Sequence, residues 1–102
     1  MGVNVELQDE RGSMLERVLD TSNLLPRALP ANPDGGFHFA STIDQYGDTT
    51  FNPLQARRLA EEWKRLLAEP RDADTDALLR AVLRMVETCA AGTHVYLKFI
   101  GD

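Results

Sequence analysis

Residues 37–53 read FHFASTIDQYGDTTFNP, and whether this run is a β-hairpin or a functional loop decides the fold. Phe37, Phe39, Ser41 and Ile43 alternate with His38, Ala40 and Thr42, which is the period of a half-buried strand. Asp44-Gln45-Tyr46-Gly47 comes next. Aspartate opens a turn because its side chain accepts backbone N–H groups two residues on, and glycine closes it in a conformation other residues avoid. With Gln45–Gly47 as a three-residue loop, Ile43 pairs with Thr49 and Ser41 with Phe51, so Phe51 joins Phe37 and Phe39 on one face. Asn52-Pro53 then starts a helix, Asn as cap and Pro at the first helical position, where its missing N–H costs nothing.

The same Asp/Asn-x-x-Gly pattern stands at Asp9–Gly12 and Asn32–Gly35. Before the first, Val3, Val5 and Leu7 alternate with Asn4, Glu6 and Gln8 as a strand. After it, Met14 to Leu19 reads as the returning strand, although Met14, Leu15, Val18 and Leu19 also fit a helix face. Residues 20–36 hold three of the five prolines and read as irregular chain with a helical turn near Ser22–Arg27. Beyond Asn52, Leu54, Leu59, Trp63, Leu66 and Leu67 form an apolar stripe, with Arg57, Glu61, Glu62 and Arg65 placed outside it. Glu69-Pro70 ends that helix. Asp72 to Asp76 opens a second one, whose buried face is Leu78, Leu79, Val82, Leu83, Val86 and Cys89 or Ala90, and Gly92 stops it. In Thr93–Ile100, Val95, Leu97 and Phe99 alternate with His94, Tyr96 and Lys98. The order ββ-ββ-αα-β predicts a single α+β domain over residues 1–102. It is expected to be a two-layer sandwich, a mainly antiparallel sheet of about five strands with two helices on one face.

The chain has 102 residues, a net charge of −5, and 43% hydrophobic and 26% charged residues. That is the composition of a globular domain, and its acidity argues against nucleic acid as a partner, since phosphate affinity comes from clustered Lys and Arg. No apolar run approaches the ~20 residues that span a bilayer, and MGVNVELQDE lacks the basic and apolar regions of a secretory signal. The one cysteine, Cys89, permits no internal disulfide and fits a reducing compartment. A cytoplasmic location with no membrane association is the expectation.

Several chemistries can be tested against the residues. Counted from Asp44, an EF-hand calcium loop fails at position 3 (Tyr46), position 6 (Thr49) and position 12 (Gln55). Asp44 and Asp48 flank the expected loop and would form a carboxylate pair only if Asp44 were not used by the turn. Cys89 falls on a buried helix face, where a thiol is inert, and alternation points His94 away from it. His38 and His94 are both expected on the sheet face away from the helices, but two histidines without a third ligand make no zinc site. No cofactor or metal is expected, and no catalytic set emerges.

What remains is the outer face of the sheet. It is expected to carry Asn4, Glu6, Gln8, His38, Thr42, Asp48, Thr50, His94, Tyr96 and Lys98. Such a surface can face water, or it can dock a protein partner or a second copy, with Tyr96 as anchor. The candidate binding residues are Tyr46, Asp48, Thr50, His38, His94, Tyr96 and Lys98. They point to a non-enzymatic interaction or regulatory module of immunity type. The alternative is a small-molecule or divalent-ion site, with or without enzymatic activity, on the Asp44–Thr50 hairpin.

The stretch IDQYGDTTFNPLQ and the C-terminal HVYLKFIGD together resemble a group of small bacterial proteins. The helices, rich in Arg, Ala and Leu, are similar to chains from actinobacteria. The resemblance covers residues 37–60 and 93–102, implies a stand-alone small protein, and brings no activity or residue role.

Overall fold

The computed structural model describes residues 2–30 and 35–101. They form β1 (Asn4–Asp9), β2 (Met14–Val18), α1 (Leu25–Ala28), a 3-10 turn (Ala40–Thr42), β3 (Asp48–Phe51), α2 (Pro53–Leu67), α3 (Ala73–Ala91) and β4 (Val95–Ile100). The strands make one open antiparallel sheet in the order β2-β1-β4-β3. The α+β class is as expected, but the sheet has four strands among the described residues, and the order ββ-ββ-αα-β is not the one observed.

The first hairpin follows its turn chemistry. Asp9 Oδ1 accepts the N–H groups of Arg11 and Ser13 at 2.9 Å each, and Gly12 takes the left-handed φ of 82° that the turn requires. The ambiguous segment 14–19 therefore returns as strand β2. Leu7 lies opposite Glu16 and Gln8 opposite Met14, so Leu15 is the extra residue of a β-bulge.

Both main helices begin where their caps stand. Asn52 Oδ1 accepts the Gln55 N–H at 2.8 Å while Gln55 Oε1 accepts the Asn52 N–H at 2.9 Å, a reciprocal capping box. Asp72 accepts the Thr75 N–H at 2.8 Å, and the Thr75 hydroxyl first and this N–H second hold its carboxyl below the usual aspartate range. Helix α2 buries Ala56, Leu59, Ala60, Glu62, Trp63 and Leu66, and α3 buries Leu79, Val82, Met85, Val86 and Cys89. They pack with Val5, Leu7, Phe51, Leu97 and Phe99 from one face of the sheet in a single core. Trp63 lies at its centre, its ring 5.9 Å from that of Phe99 and its indole N–H donating to the Leu79 carbonyl at 2.8 Å. That bond ties α2 to α3 and satisfies a donor that burial would otherwise penalise.

Two members of the expected α2 pattern are displaced. Leu54 is 68% exposed, whereas Glu62 is buried at 5% exposure. Helical geometry accounts for both. Glu62 follows Leu59 by three residues and precedes Leu66 by four, so it sits on the stripe in spite of its charge, and Leu54 at five residues before Leu59 sits off it.

The expected strand Phe37–Ile43 does not form. Its backbone turns instead, with the Ser41 N–H donating to the Phe37 carbonyl and the Thr42 N–H to the Phe39 carbonyl, both at 3.1 Å. The cause is the buried carboxylate of Glu62. Its Oε1 accepts the N–H groups of Phe39 at 3.1 Å and Ala40 at 2.8 Å, and its Oε2 lies 3.1 Å from the Phe39 nitrogen. One helical turn on, Arg65 donates to the carbonyls of Gly35 and Gly36, and its guanidinium lies 4.6 Å from the centre of the Phe37 ring. Helix α2 thus binds this segment's N–H groups through Glu62 and its carbonyls through Arg65. The turn expected at residues 32–35 lies, apart from Gly35, outside the described residues.

Asp20 fastens the start of the same irregular region. Its Oδ2 accepts the N–H groups of Val3 at 3.2 Å and Leu25 at 2.9 Å, and its Oδ1 that of Leu24 at 2.8 Å. Gly2 has to be glycine for this approach, because a side chain there would collide with the Asp20 carbonyl.

Replacing Glu62 with alanine leaves the Phe39 and Ala40 N–H groups unpaired in a buried place and is expected to cost about 2–4 kcal/mol. Glu62→Gln should cost less, since it keeps one acceptor oxygen. Denaturant unfolding measures both, and a loss within experimental error for Glu62→Ala would remove the carboxylate from the account of this segment.

Candidate functional site: the open face of the sheet

With the helices on one side, strand alternation places Asn4, Glu6 and Gln8 of β1, Tyr96, Lys98 and Ile100 of β4, and Asp48 and Thr50 of β3 on the other. Arg17 and Met14 of β2 join them, opposite Glu6 and Gln8 respectively. Glu6 stands between Arg17 and Lys98 across the strands, and Lys98 stands opposite Thr50. Arg17 Nη2 is 3.1 Å from Glu6 Oε2, Gln8 Nε2 donates to Glu6 Oε1 at 2.9 Å, and Lys98 Nζ is 3.4 Å from Asp48 Oδ2. Charges therefore alternate across the sheet in the order Arg17, Glu6, Lys98, Asp48. Beside this row Tyr96, half-buried, faces Gln8.

Four of the seven candidate residues, Asp48, Thr50, Tyr96 and Lys98, meet on this face. Tyr46 does not. It projects from the turn at 81% exposure, its N–H donating to Asp44 Oδ1 at 2.8 Å. The turn itself is braced by the end of β4, where the Gly101 N–H donates to the Gly47 carbonyl at 2.7 Å. A Cβ on Gly101 would lie 2.5 Å from the Gln45 backbone, so only glycine fits.

The two histidines are apart from the face and from each other. His38 belongs to the segment on α2, in a shallow cleft with Arg58, Glu61 and Arg65. His94 has a left-handed φ of 57° at the start of β4, and its Nδ1 lies 3.5 Å from Glu10 Oε2 at the end of the sheet. The expectation that both lie on the outer face is corrected for each by this placement: the strand that would have carried His38 is absent, and the backbone turn at His94 breaks the alternation. No group of three or more His, Cys, Asp or Glu side chains converges to hold a metal among the described residues.

Asp44 and Asp48 do not form a carboxylate pair. Asp44 is used by its turn, Asp48 by Lys98, and the expected Ile43–Thr49 pairing is replaced by a bond from the Asp44 N–H to Thr49 Oγ1 at 3.0 Å. Sequence reasoning left Asp48 without a structural partner, and Lys98 supplies one. It also missed Arg17, because segment 14–19, read as the returning strand, fitted a helix face almost as well and its sides were not assigned. Its spacing within a strand register would have found it.

Compared with protein-family models, curated proteins and solved structures, the chain matches none of them.

Cys89 is buried, with Sγ 3.7 Å from the Val95 carbonyl oxygen, and burial pushes its thiol from 9.0 up to about 11. The folded state holds this proton where the unfolded chain gives it up. The associated stability is thus fully present below pH 9 and is lost as pH rises towards about 11. Denaturation midpoints of wild type should fall across that window more steeply than those of Cys89→Ala, and iodoacetamide at pH 8 should label Cys89 only in denaturant. Rapid labelling of the native protein would contradict the burial.

Proposed function

We propose that the protein is a non-catalytic interaction module, regulatory or immunity-type in character, whose open sheet face docks a protein partner. The observation that carries this reading is the face itself. A half-buried tyrosine on the inner strand β4 faces Gln8 and stands beside the row of ion-paired side chains, so an aromatic anchor is presented next to a charged surface. The net charge of −5 favours a protein with a basic surface over nucleic acid, and such a pairing gains association rate from charge. A cytoplasmic site of action belongs to the same reading, supported by the buried thiol as the only cysteine.

Affinity capture from source cells tests it. A partner retained by wild type should be lost with Tyr96→Glu, yet kept by Arg84→Glu, which alters the exposed side of α3. Retention by Tyr96→Glu, with folding confirmed by circular dichroism, would contradict a role for the sheet face.

A further inference from the structure

Resting on that reading, we infer that the open face also pairs with itself, forming a dimer whose two sheets stack about a two-fold axis parallel to the strands. The order of charges across the sheet carries this. Strands lie about 4.8 Å apart; Arg17, Glu6 and Lys98 stand directly across from one another on β2, β1 and β4, and Asp48 on β3, two residues along from the Thr50 that faces Lys98, reaches diagonally to within 3.4 Å of Lys98 Nζ, so the charges read plus, minus, plus, minus from strand to strand. Reversing such a row exchanges its signs. An axis along the strands between two facing sheets performs that reversal. It sets Arg17 against the partner's Asp48 and Glu6 against the partner's Lys98, and each pair occurs twice by symmetry. An axis across the strands along this row would instead set Arg17, Glu6 and Lys98 each against its own kind. The pattern is therefore complementary to itself in one orientation only.

The apolar positions fit the same arrangement. Met14 and Leu19, 48% and 52% exposed, flank the row, and Leu19 lines one hollow with Asn4 and Ile100. Large apolar side chains at a sheet edge are what a buried contact would cover. About eleven side chains a side correspond to roughly 700 Å² of buried surface in total, below the range of standard stable interfaces, so a weak, reversible dimer is expected.

Sedimentation equilibrium of the full chain tests this. Wild type should self-associate at low ionic strength, and less so as salt is added, because the contacts are charged and accessible to solvent. Arg17→Asp and Asp48→Lys each create two like-charge contacts across the axis and should each weaken the dimer about tenfold or more. Combining them gives a row of minus, minus, plus, plus, which reversal again complements, so the double variant should regain affinity over either single one. Thermal melts report folding, and the salt series on wild type needs no variant at all. A wild type that stays monomeric at millimolar concentration and low salt overturns self-pairing. So does a dimer indifferent to salt and to both single substitutions, or a double variant no better than the singles. A monomer whose captured partner is still lost on Tyr96→Glu overturns self-pairing alone and leaves the interaction reading in place.

Discussion

A carboxylate shut away from water has to be given hydrogen-bond donors, and Glu62 receives them from the backbone of Phe39 and Ala40. Much of the architecture depends on that demand. Buried by its place on the α2 stripe, the side chain takes N–H groups that a β-ladder would otherwise use, and the segment 37–43 turns where its alternation suggests a strand. Phe37 and Phe39 still reach apolar surroundings, one under the Arg65 guanidinium and the other edge-on to Phe51 at 6.3 Å. The hydrophobic gain of the alternating pattern is thus kept while its hydrogen bonds are redirected. Among the described residues β3 is thus an edge of the sheet, and β4, the last of its strands in sequence, lies inside between β1 and β3.

The internal place of β4 decides which side chains the middle of the outer face presents. Tyr96 and Lys98 stand in the middle of the sheet, and Lys98 has Glu6 on one side and Asp48 and Thr50 on the other. On an edge strand the same residues would be a fringe of mobile side chains. Here Lys98 belongs to a cross-strand set of opposite charges, with Arg17 paired to Glu6 and Asp48 to Lys98, and Tyr96 stands beside it facing Gln8. The helices contribute by covering the other face completely enough that the polar face alone stays open.

Where chemistry is local, the fold could be read from the residues. The Asp9–Gly12 hairpin, the Asn52 and Asp72 caps, the stop at Gly92, the last strand and the inward-facing set Val5, Leu7, Phe51, Leu97 and Phe99 all stand as expected. So does burial of Cys89. The larger failures share a cause. A residue's local pattern was outweighed by a partner far away in sequence: Phe39 lies 23 residues from the Glu62 that turns it, and Asp48 meets Lys98 only through a strand order that no local spacing reveals. Charge misled in the same way at Glu62, where helical position prevails over the preference of carboxylates for water once donors are at hand. On the face, four candidates converge because strand alternation is a local property, while Tyr46, His38 and His94 fall away because turns and a left-handed backbone break it.

The central claim is that Glu62 holds the backbone of Phe39 and Ala40 and so keeps residues 37–43 out of the sheet. Backbone amide hydrogen exchange by NMR on the unaltered protein tests it most directly. The account predicts slow exchange at Phe39 and Ala40, the two amides bound by the carboxylate, and no backbone-to-backbone cross-strand nuclear Overhauser contacts between 37–43 and 49–51, where only side-chain contacts such as Phe39 ring to Phe51 ring are expected. An alternating pattern of protection along 37–43, with such contacts to β3, would show a fifth strand and contradict it.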